Sequence, residues 1–271
     1  MSSSVAFESI PTQGWRLGLR TLLRKENQAW WGTRRWWTQA LIWLLGINGL
    51  VVFVSFVLPL MVLQMQGELP DDFDPVIVGI QIFFQLGTLG MALGAVVLTQ
   101  GVIQDELRLG TAAWVLSNPV SRAAFVLSKL IAYGIGLLTV VVGLQSAVAY
   151  GLLSLRAGTF LPIGPFAAAV LGLALHTLFY LALTILLGVC VESRGTVLGV
   201  SLGCLLGGSI LASLVPPLAV LPPWSMAGLL PALAAGQGSP MTWVGLSMAL
   251  IAALIAVCVV LTIGRFERIE F

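Results

Sequence analysis

Apolar and polar positions alternate along this chain in long blocks, so that six apolar segments follow one another with shorter polar connections between them. A helix needs about 20 mostly apolar residues to cross the hydrocarbon core of a membrane. Each block reaches that length, and the alternating segments of about 10 residues that are typical of membrane β-barrels do not occur. The pattern predicts an all-α polytopic membrane protein, whose six transmembrane helices cover residues 41–63, 76–100, 125–153, 166–191, 196–215 and 241–263.

The composition supports the same class of protein. Hydrophobic residues make up 58% of the 271 residues and charged residues only 9%, with a mean hydropathy of +1.02, whereas a soluble domain is about 25% charged. The net charge of +2 gives no indication of nucleic-acid binding. We expect one transmembrane domain over residues 1–271, with a cytoplasmic or interfacial N-terminal segment at 1–40 and a six-helix membrane bundle at 41–271. The first span is too long for a signal-peptide core.

Basic residues are distributed very unevenly between the two sides of the predicted bundle. Arg156 alone falls on one side, whereas twelve fall on the other: Arg16, Arg20, Arg24, Lys25, Arg34, Arg35, Arg108, Arg122, Lys129, Arg194, Arg265 and Arg268. Because Lys and Arg are retained on the cytoplasmic side, both termini and the connection at residues 104–124 are predicted to be cytoplasmic. Basic cytoplasmic loops without a large soluble domain fit a bacterial inner membrane.

The segment before the first span has an amphipathic helical pattern. Apolar residues recur there at steps of three and four beside a basic row, namely Trp15, Leu19, Leu22, Leu23 and Trp30 against Arg16, Arg20 and Arg24. This pattern is typical of a helix that lies in the membrane interface. Such a helix serves either as a simple anchor or as a docking surface for a cytoplasmic subunit, and the sequence slightly favours the anchor.

The connection between the second and third spans is a polar island in an apolar chain. We expect Gly110 to break the helix, Thr111 to cap a short new one, and Pro119 to end it, because the residue before a proline avoids the helical region. Ser121 can then cap the third span. The result is a short cytoplasmic helix joined rigidly to two membrane helices, although an ordinary loop between spans fits the same physics.

Polar side chains and glycines inside the spans are further candidates. Gln81 and Gln85 lie one turn apart on the second span and are candidates for a substrate pathway, whereas His176 and Gln145 are expected to hydrogen-bond neighbouring helices. Small-residue stripes permit close helix packing, either within a subunit or in a dimer seam; they are Gly195, Gly199, Gly203 and Gly207, and more weakly Gly90 and Gly94. Cys190, Cys204 and Cys258 have no metal-binding spacing, so no metal site is predicted.

Residues 216–240, between the last two spans, are rich in proline and yet apolar, and no charge occurs between Arg194 and Arg265. An extracellular loop of this composition would expose apolar surface to water. We therefore expect short re-entrant or interfacial helices, which are possible where irregular backbone is buried in protein.

Three motifs resemble the ABC-2-type transporter permeases. Glu106, Gly110-Thr111, the Pro119-Val120-Ser121-Arg122 stretch and Lys129 resemble the signature between the second and third spans of that family. Arg24-Lys25-Glu26 resembles its N-terminal opening, and Phe266-Glu267-Arg268 resembles its C-terminal ending. The likeness extends over nearly the whole chain in span number and motif position.

The resemblance implies a permease subunit of an ATP-driven exporter, with two such halves, identical or homologous, and two copies of a separate ATP-binding subunit. It implies contact with that subunit through the N-terminal helix and the short cytoplasmic helix, at Arg24, Lys25, Glu26, Asp105, Glu106, Gly110, Thr111, Pro119 and Arg122. It also implies an outer gate within residues 216–240. No Walker A loop occurs, because neither Lys25 nor Lys129 follows a glycine. ATP and Mg are therefore expected on the partner, with no catalytic residue or cofactor in this chain.

Two other functions remain open at this stage. A membrane assembly or sensor protein could keep the same architecture without transport. An intramembrane enzyme is disfavoured, since it needs a catalytic constellation and His176 has no evident partner. The neutral, apolar spans favour an amphipathic or lipid-like substrate over a small ion.

Overall fold

The computed structural model describes residues 14–237 and 241–269, and within them every regular element is a helix. Six stretches are long and apolar enough to cross a membrane. In chain order, the helices are α1 Leu19–Trp31, α2 Arg35–Gln66, α3 Pro75–Thr99, α4 Gln104–Arg108, α5 Thr111–Leu116, α6 Arg122–Ala157, α7 Ile163–Cys190, α8 Arg194–Leu214, α9 Pro216–Ala219, α10 Met226–Ala234 and α11 Met241–Phe266.

The spans differ in how deeply they are buried. In their most apolar windows, α6 and α7 bury 61% and 56% of their residues, whereas α2 and α11 bury only 22%. The core therefore lies around α3, α6 and α7, and it includes Phe83, Phe84, Leu173 and Tyr180. The helices α2, α8 and α11 lie at the periphery, where apolar faces remain uncovered within a single chain.

The N-terminal helix α1 packs on α6. Its buried row consists of Leu22, Glu26 and Trp30, spaced four residues apart, as expected for one face of a helix. Leu22 and Trp30 belong to the apolar row that the sequence assigned to the membrane interface. The structure instead covers them with protein, because a polar residue of the same face, Glu26, finds a partner on α6.

Of the two helix caps predicted in the connection between the second and third spans, one differs in detail from the sequence prediction. The cap of α5 is Gly110, which has a φ of 69° and makes no side-chain cap bond, whereas Thr111 is the first helical residue and its hydroxyl donates to the carbonyl of Glu106. A left-handed conformation favours glycine, so Gly110 supplies the turn and Thr111 supports it. The cap at Ser121 is as predicted, since its Oγ accepts the amide hydrogen of Ala124.

A pair of side-chain amides, those of Asn48 and Gln145, links α2 to α6 beside a π-helical segment in each helix. The backbone is π-helical at Leu44–Asn48 and Leu137–Gly143, where one turn leaves its carbonyls without regular partners. Gln145 donates to the carbonyls of Val140 and Ala40 and accepts a 2.9 Å hydrogen bond from Asn48. Gln145 therefore joins neighbouring helices, as the sequence predicted.

The helices approach each other closely where a large ring lies against a glycine. A Cβ atom at Gly136 would collide with the indole of Trp30, and one at Gly94 would collide with that of Trp43. Trp30 is only 2% exposed, so its ring has no free space into which it could move. These contacts fix α1 on α6 and α2 on α3.

We predict that Gly136→Ala destabilises the protein by about 1–3 kcal/mol, the usual cost of overpacking. The added methyl group would push the Trp30 ring, and with it α1, away from α6. The measurement is the free energy of unfolding in a mild detergent. Gly151→Ala in the same helix is the matched control, because nothing lies within 4 Å of its added Cβ. Equal stability of the two variants would contradict the prediction.

Candidate functional site

Four charged residues from three elements meet at the end of the bundle that carries α1, α4, α5 and residues 267–269, which we call the basic end. Lys129 Nζ lies 3.0 Å from Glu26 Oε1 and 2.9 Å from Glu106 Oε1. Lys25 Nζ lies 3.0 Å from Glu106 Oε1 and 3.8 Å from Glu26 Oε1. Lys25, Glu26, Glu106 and Lys129 form the charge cluster, which joins α1 and α4 to α6.

The two lysines of the charge cluster differ in exposure. The side chain of Lys129 is 2% exposed, that of Glu26 8% and that of Glu106 18%, whereas Lys25 is 51% exposed. A buried charge needs paired partners, since the desolvation penalty is several kcal/mol per ion. Two carboxylates on Lys129 meet that need, and Lys25 offsets the second negative charge.

The pKa of Lys25 lies above its ordinary value of 10.5. Partial burial lowers this pKa, but the hydrogen bond and charge of Glu106, together with the charge of Glu26, outweigh that effect. A raised lysine pKa means that the pairing contributes fully below pH 10.5 and is lost as the pH rises through the folded-state value. Lys25 is therefore fully protonated at neutral pH and contributes its full positive charge to the cluster.

The short helix α5 presents apolar side chains to solvent. Trp114 is 72% exposed and Leu109, just before the helix, is 76% exposed. The turn behind them is held by Asn118 and Ser117, whose side chains both donate to the carbonyl of Trp114. A large exposed aromatic ring on a well-held turn is the kind of group that anchors a protein interface.

The start of α6 ties α5 to the rest of the basic end. The backbone amide of Ser121 donates to the carbonyl of Leu17, and its hydroxyl donates to that of Trp15. Val120 packs on Gly18, where a Cβ atom would approach within 2.6 Å. These contacts therefore join the segment before α1 to the start of α6.

Arg122 connects the same unit to the C-terminal end of the described chain. Its guanidinium donates to the carbonyls of Phe266, Glu267 and Ile269. Beside it, the rings of Phe125 and Phe266 stack at 5.0 Å with an interplanar angle of 6°. One continuous set of contacts therefore joins three parts of the basic end: the N-terminal segment, the α4–α5 connection and the end of α11.

A second set of contacts links α4 to α7 and α8. Asp105 Oδ2 lies 3.7 Å from Arg194 Nη1, and the amide of Gln104 donates to the carbonyl of Val191. Both members of the first pair are about half exposed, so this ion pair is weak. Its position nevertheless connects α4 to the start of α8.

The structure brings together most, but not all, of the residues proposed for coupling. Lys25, Glu26 and Glu106 contact one another, and Asp105, Gly110, Thr111, Pro119 and Arg122 lie along the same connection. Arg24 is exposed and outside the charge cluster. The sequence prediction missed Lys129 as the centre and Trp114 as the exposed group. A lysine inside a long apolar span was the available signal for the first.

The residues proposed for a pathway or seam fall in two different environments. Gln81 and Gln85 are exposed on one face of α3, together with Leu89, Leu93 and Val97. Gly90 and Gly94 pack on Trp43 of the same chain. In contrast, an added Cβ would meet nothing within 4 Å at Gly199, Gly203 or Gly207, and Gly195 has only Ser193 nearby. The α8 stripe is thus uncovered within the subunit.

Residues 216–237, which we call the connecting segment, reach the middle of the helix bundle. The indole of Trp224 donates a 2.9 Å hydrogen bond to the carbonyl of Cys204, at the centre of α8, and fills the space that a side chain at Gly208 would occupy. Nε2 of His176, at the centre of α7, lies 3.0 Å from the carbonyl oxygen of Thr88 in α3. His176 thus bonds a neighbouring helix, as expected.

This arrangement defines a class of protein: a six-span membrane protein whose short helices at one end are joined to the membrane helices by ion pairs and hydrogen bonds. A family model described as ABC-2 family transporter protein matches residues 48–270. The chain belongs to this family, and it is an integral multi-pass membrane protein that forms the permease component of an ABC transporter. Permeases of this family generally pair with an ABC ATP-binding subunit and are generally not themselves catalytic. A comparison with curated proteins gave no match.

We predict that Lys129→Gln destabilises the protein by about 3–5 kcal/mol, because it leaves two buried carboxylates without their shared cation. Lys25→Gln, at the exposed edge of the same cluster, is the matched control and should cost about 0–1 kcal/mol. Chemical unfolding in detergent measures both. Adding Glu26→Gln to Lys129→Gln should recover part of the lost stability. If the double variant instead loses the sum of the two single losses, the two residues are not paired.

Proposed function

We propose that this chain is the permease subunit of an ATP-driven exporter, in which the α4–α5 connection transmits motion from a separate ATP-binding subunit to the spans. In this proposal the basic end faces the cytoplasm, in agreement with its excess of Lys and Arg. The charge cluster carries the proposal, because it makes α1, α4 and α6 move together. ATP and Mg belong to the partner.

The exposed helix α5 is the proposed docking point. Trp114 and Leu109 offer an apolar anchor. The first residue of α5, Thr111, is hydrogen-bonded to the carbonyl of Glu106, a member of the charge cluster. Closure of the ATP-binding subunits would press on α5. Since α4 is bonded to α6 through Glu106 and Lys129, the displacement would reach α3 and α6 rather than being absorbed in a flexible loop.

Two permease subunits are proposed to enclose the pathway. The α8 stripe at Gly199, Gly203 and Gly207 has open space in front of it, and small residues permit close helix approach. The exposed face of α3 carries Gln81 and Gln85, and apolar residues follow them along the same face toward the basic end. A pathway with two amides and otherwise apolar walls suits an amphipathic or lipid-like substrate, and two ATP-binding copies would match two such halves.

The connecting segment is the proposed gate at the end of the pathway away from the basic end. Trp224 reaches the centre of α8, and Leu230 of α10 lies against Gly172 of α7. The segment thus closes the bundle at mid-depth by packing and one hydrogen bond, both of which can be released without unpairing a charge. Opening of this gate would complete the path to the outer side of a bacterial inner membrane.

A membrane assembly or sensor protein that keeps this architecture without transport is the second candidate. The rigidity of the charge cluster fits that role too, since a sensor also needs a tied platform. The two candidates differ in ATP-dependent substrate movement in sealed vesicles, which only the transporter shows.

We predict that Glu106→Lys abolishes coupling, because it places a third cation beside Lys25 and Lys129. ATP-dependent transport in vesicles should fall at least about tenfold, as expected when more than about 1.4 kcal/mol of a required contact is lost, while the chain still inserts into membranes. Glu267→Lys is the control, an exposed acid at the same end and outside the cluster.

Trp114→Ala separates docking from folding, since its side chain is exposed and the charge cluster stays intact. This variant should keep the stability of the parent chain but recover less ATP-binding subunit in a mild-detergent pull-down. Full coupling in Glu106→Lys, or undiminished recovery with Trp114→Ala, would count against the proposed route.

We further predict that Trp224→Ala opens the bundle at mid-depth. Loss of a packed Trp costs about 3–5 kcal/mol locally, and Cys204 should then react faster with a membrane-impermeant thiol reagent added from the side of the connecting segment. Cys190 and Cys258 are replaced by Ser beforehand, so that only Cys204 reports. Trp243→Ala, which removes a partly exposed indole in α11, is the control. Unchanged labelling would refute the gate.

A further inference from the structure

A polar pocket lies at the basic end between the ends of three membrane helices, apart from the charge cluster. It has a volume of about 390 Å³ and is bounded by the α4 region, the end of α7 and the end of α11. Its walls combine the guanidinium groups of Arg108 and Arg265 with apolar side chains such as Val191 and Ile269. The pocket is therefore cationic and half apolar at the level where a membrane has its headgroups.

The two arginines differ from three other basic residues at this end, which have polar partners. Lys129 and Arg194 bind carboxylates, and Arg35 donates to the hydroxyl of Tyr133. In contrast, the side chains of Arg108 and Arg265 form no ion pair or hydrogen bond with any residue in the part of the chain that the structure describes. Among the described residues, one acid, Glu192, lines the same pocket, so this part of the lining carries one net positive charge.

The inner wall of the pocket is polar and firmly held. Gln104 is 2% exposed, and its amide nitrogen donates to the carbonyl of Val191. Its amide oxygen has no partner among the described residues. A buried amide oxygen without a donor is unfavourable, so the side chain that lines this wall has an unmet need for a hydrogen-bond donor.

We propose that this pocket binds the headgroup of an anionic phospholipid from the adjacent membrane leaflet. Basic pockets between transmembrane helices at a membrane surface bind such headgroups. Arg108 and Arg265 would hold the phosphate, because a guanidinium matches phosphate oxygens in charge and geometry. The apolar walls would contact the glycerol and upper acyl region.

A lipid fits the pocket better than an acidic surface of a protein partner. Val191 and Ile269 line it beside the arginines, and the adjacent helix α11 is covered with exposed apolar residues such as Val257, Val260 and Leu261. A phospholipid places its phosphate and its acyl chains in this same order. The proposal depends on the membrane location of the chain and not on the direction or substrate of transport.

The test is native mass spectrometry of the purified chain with its ATP-binding subunit in detergent, titrated with phosphatidylglycerol or with phosphatidylcholine. We expect retention of phosphatidylglycerol, and about tenfold or greater weakening in the double variant Arg108→Gln/Arg265→Gln, given about 1 kcal/mol per basic residue near a lipid surface. The matched control is Arg20→Gln/Arg34→Gln, which removes two exposed charges at the same end but outside the pocket.

Three results would overturn the proposal. Equal loss in the two double variants would show general attraction to net charge. Displacement of the lipid by inorganic phosphate would show a site for the free anion. Loss of the ATP-binding subunit from Arg108→Gln/Arg265→Gln, with phosphatidylglycerol still retained, would assign the pocket to a protein interface. Thermal unfolding of each variant confirms that it is folded, and both arginines are exposed, so their replacement should leave the fold intact.

Discussion

Lys129 carries its charge into a part of the protein where only 2% of its side chain meets solvent, and the rest of the basic end depends on how that charge is matched. Glu26 brings α1 to it and Glu106 brings α4. Because a buried cation is stable only with partners at hydrogen-bond distance, the positions of α1, α4 and α6 are not independent. The connection between the second and third spans is thereby tied to both α1 and α6.

The connecting segment, away from the basic end, is held without charges. The connecting segment packs through Trp224 on Gly208 and through Leu230 on Gly172, with one hydrogen bond from an indole to a backbone carbonyl. Such contacts can separate without leaving a charge unpaired. The structure thus combines an end tied by buried charges with a segment held by packing and one neutral hydrogen bond.

The sequence predicted the candidate site unevenly, and the reason differs between residues. Glu26, Lys25 and Glu106 could be named because they stand in short motifs that resemble those of the ABC-2-type permeases. Trp114 was not singled out, since an aromatic residue in a short helix is apolar in either a buried or an exposed position. The face predicted for the membrane on α1 was wrong at Leu22 and Trp30, because the amphipathic pattern does not show whether lipid or another helix covers the apolar side.

The sequence by itself determined the class of protein, the number of spans, the break at Gly110 and the cap at Ser121, because segment length, hydropathy and turn residues act locally along the chain. Only the tertiary structure decided that Glu26 meets Lys129, 103 residues away. It also separated two glycine stripes that look alike, since Gly94 packs on Trp43 whereas Gly203 has open space. Contacts of this kind depend on which helix faces meet, and a local pattern does not contain that information.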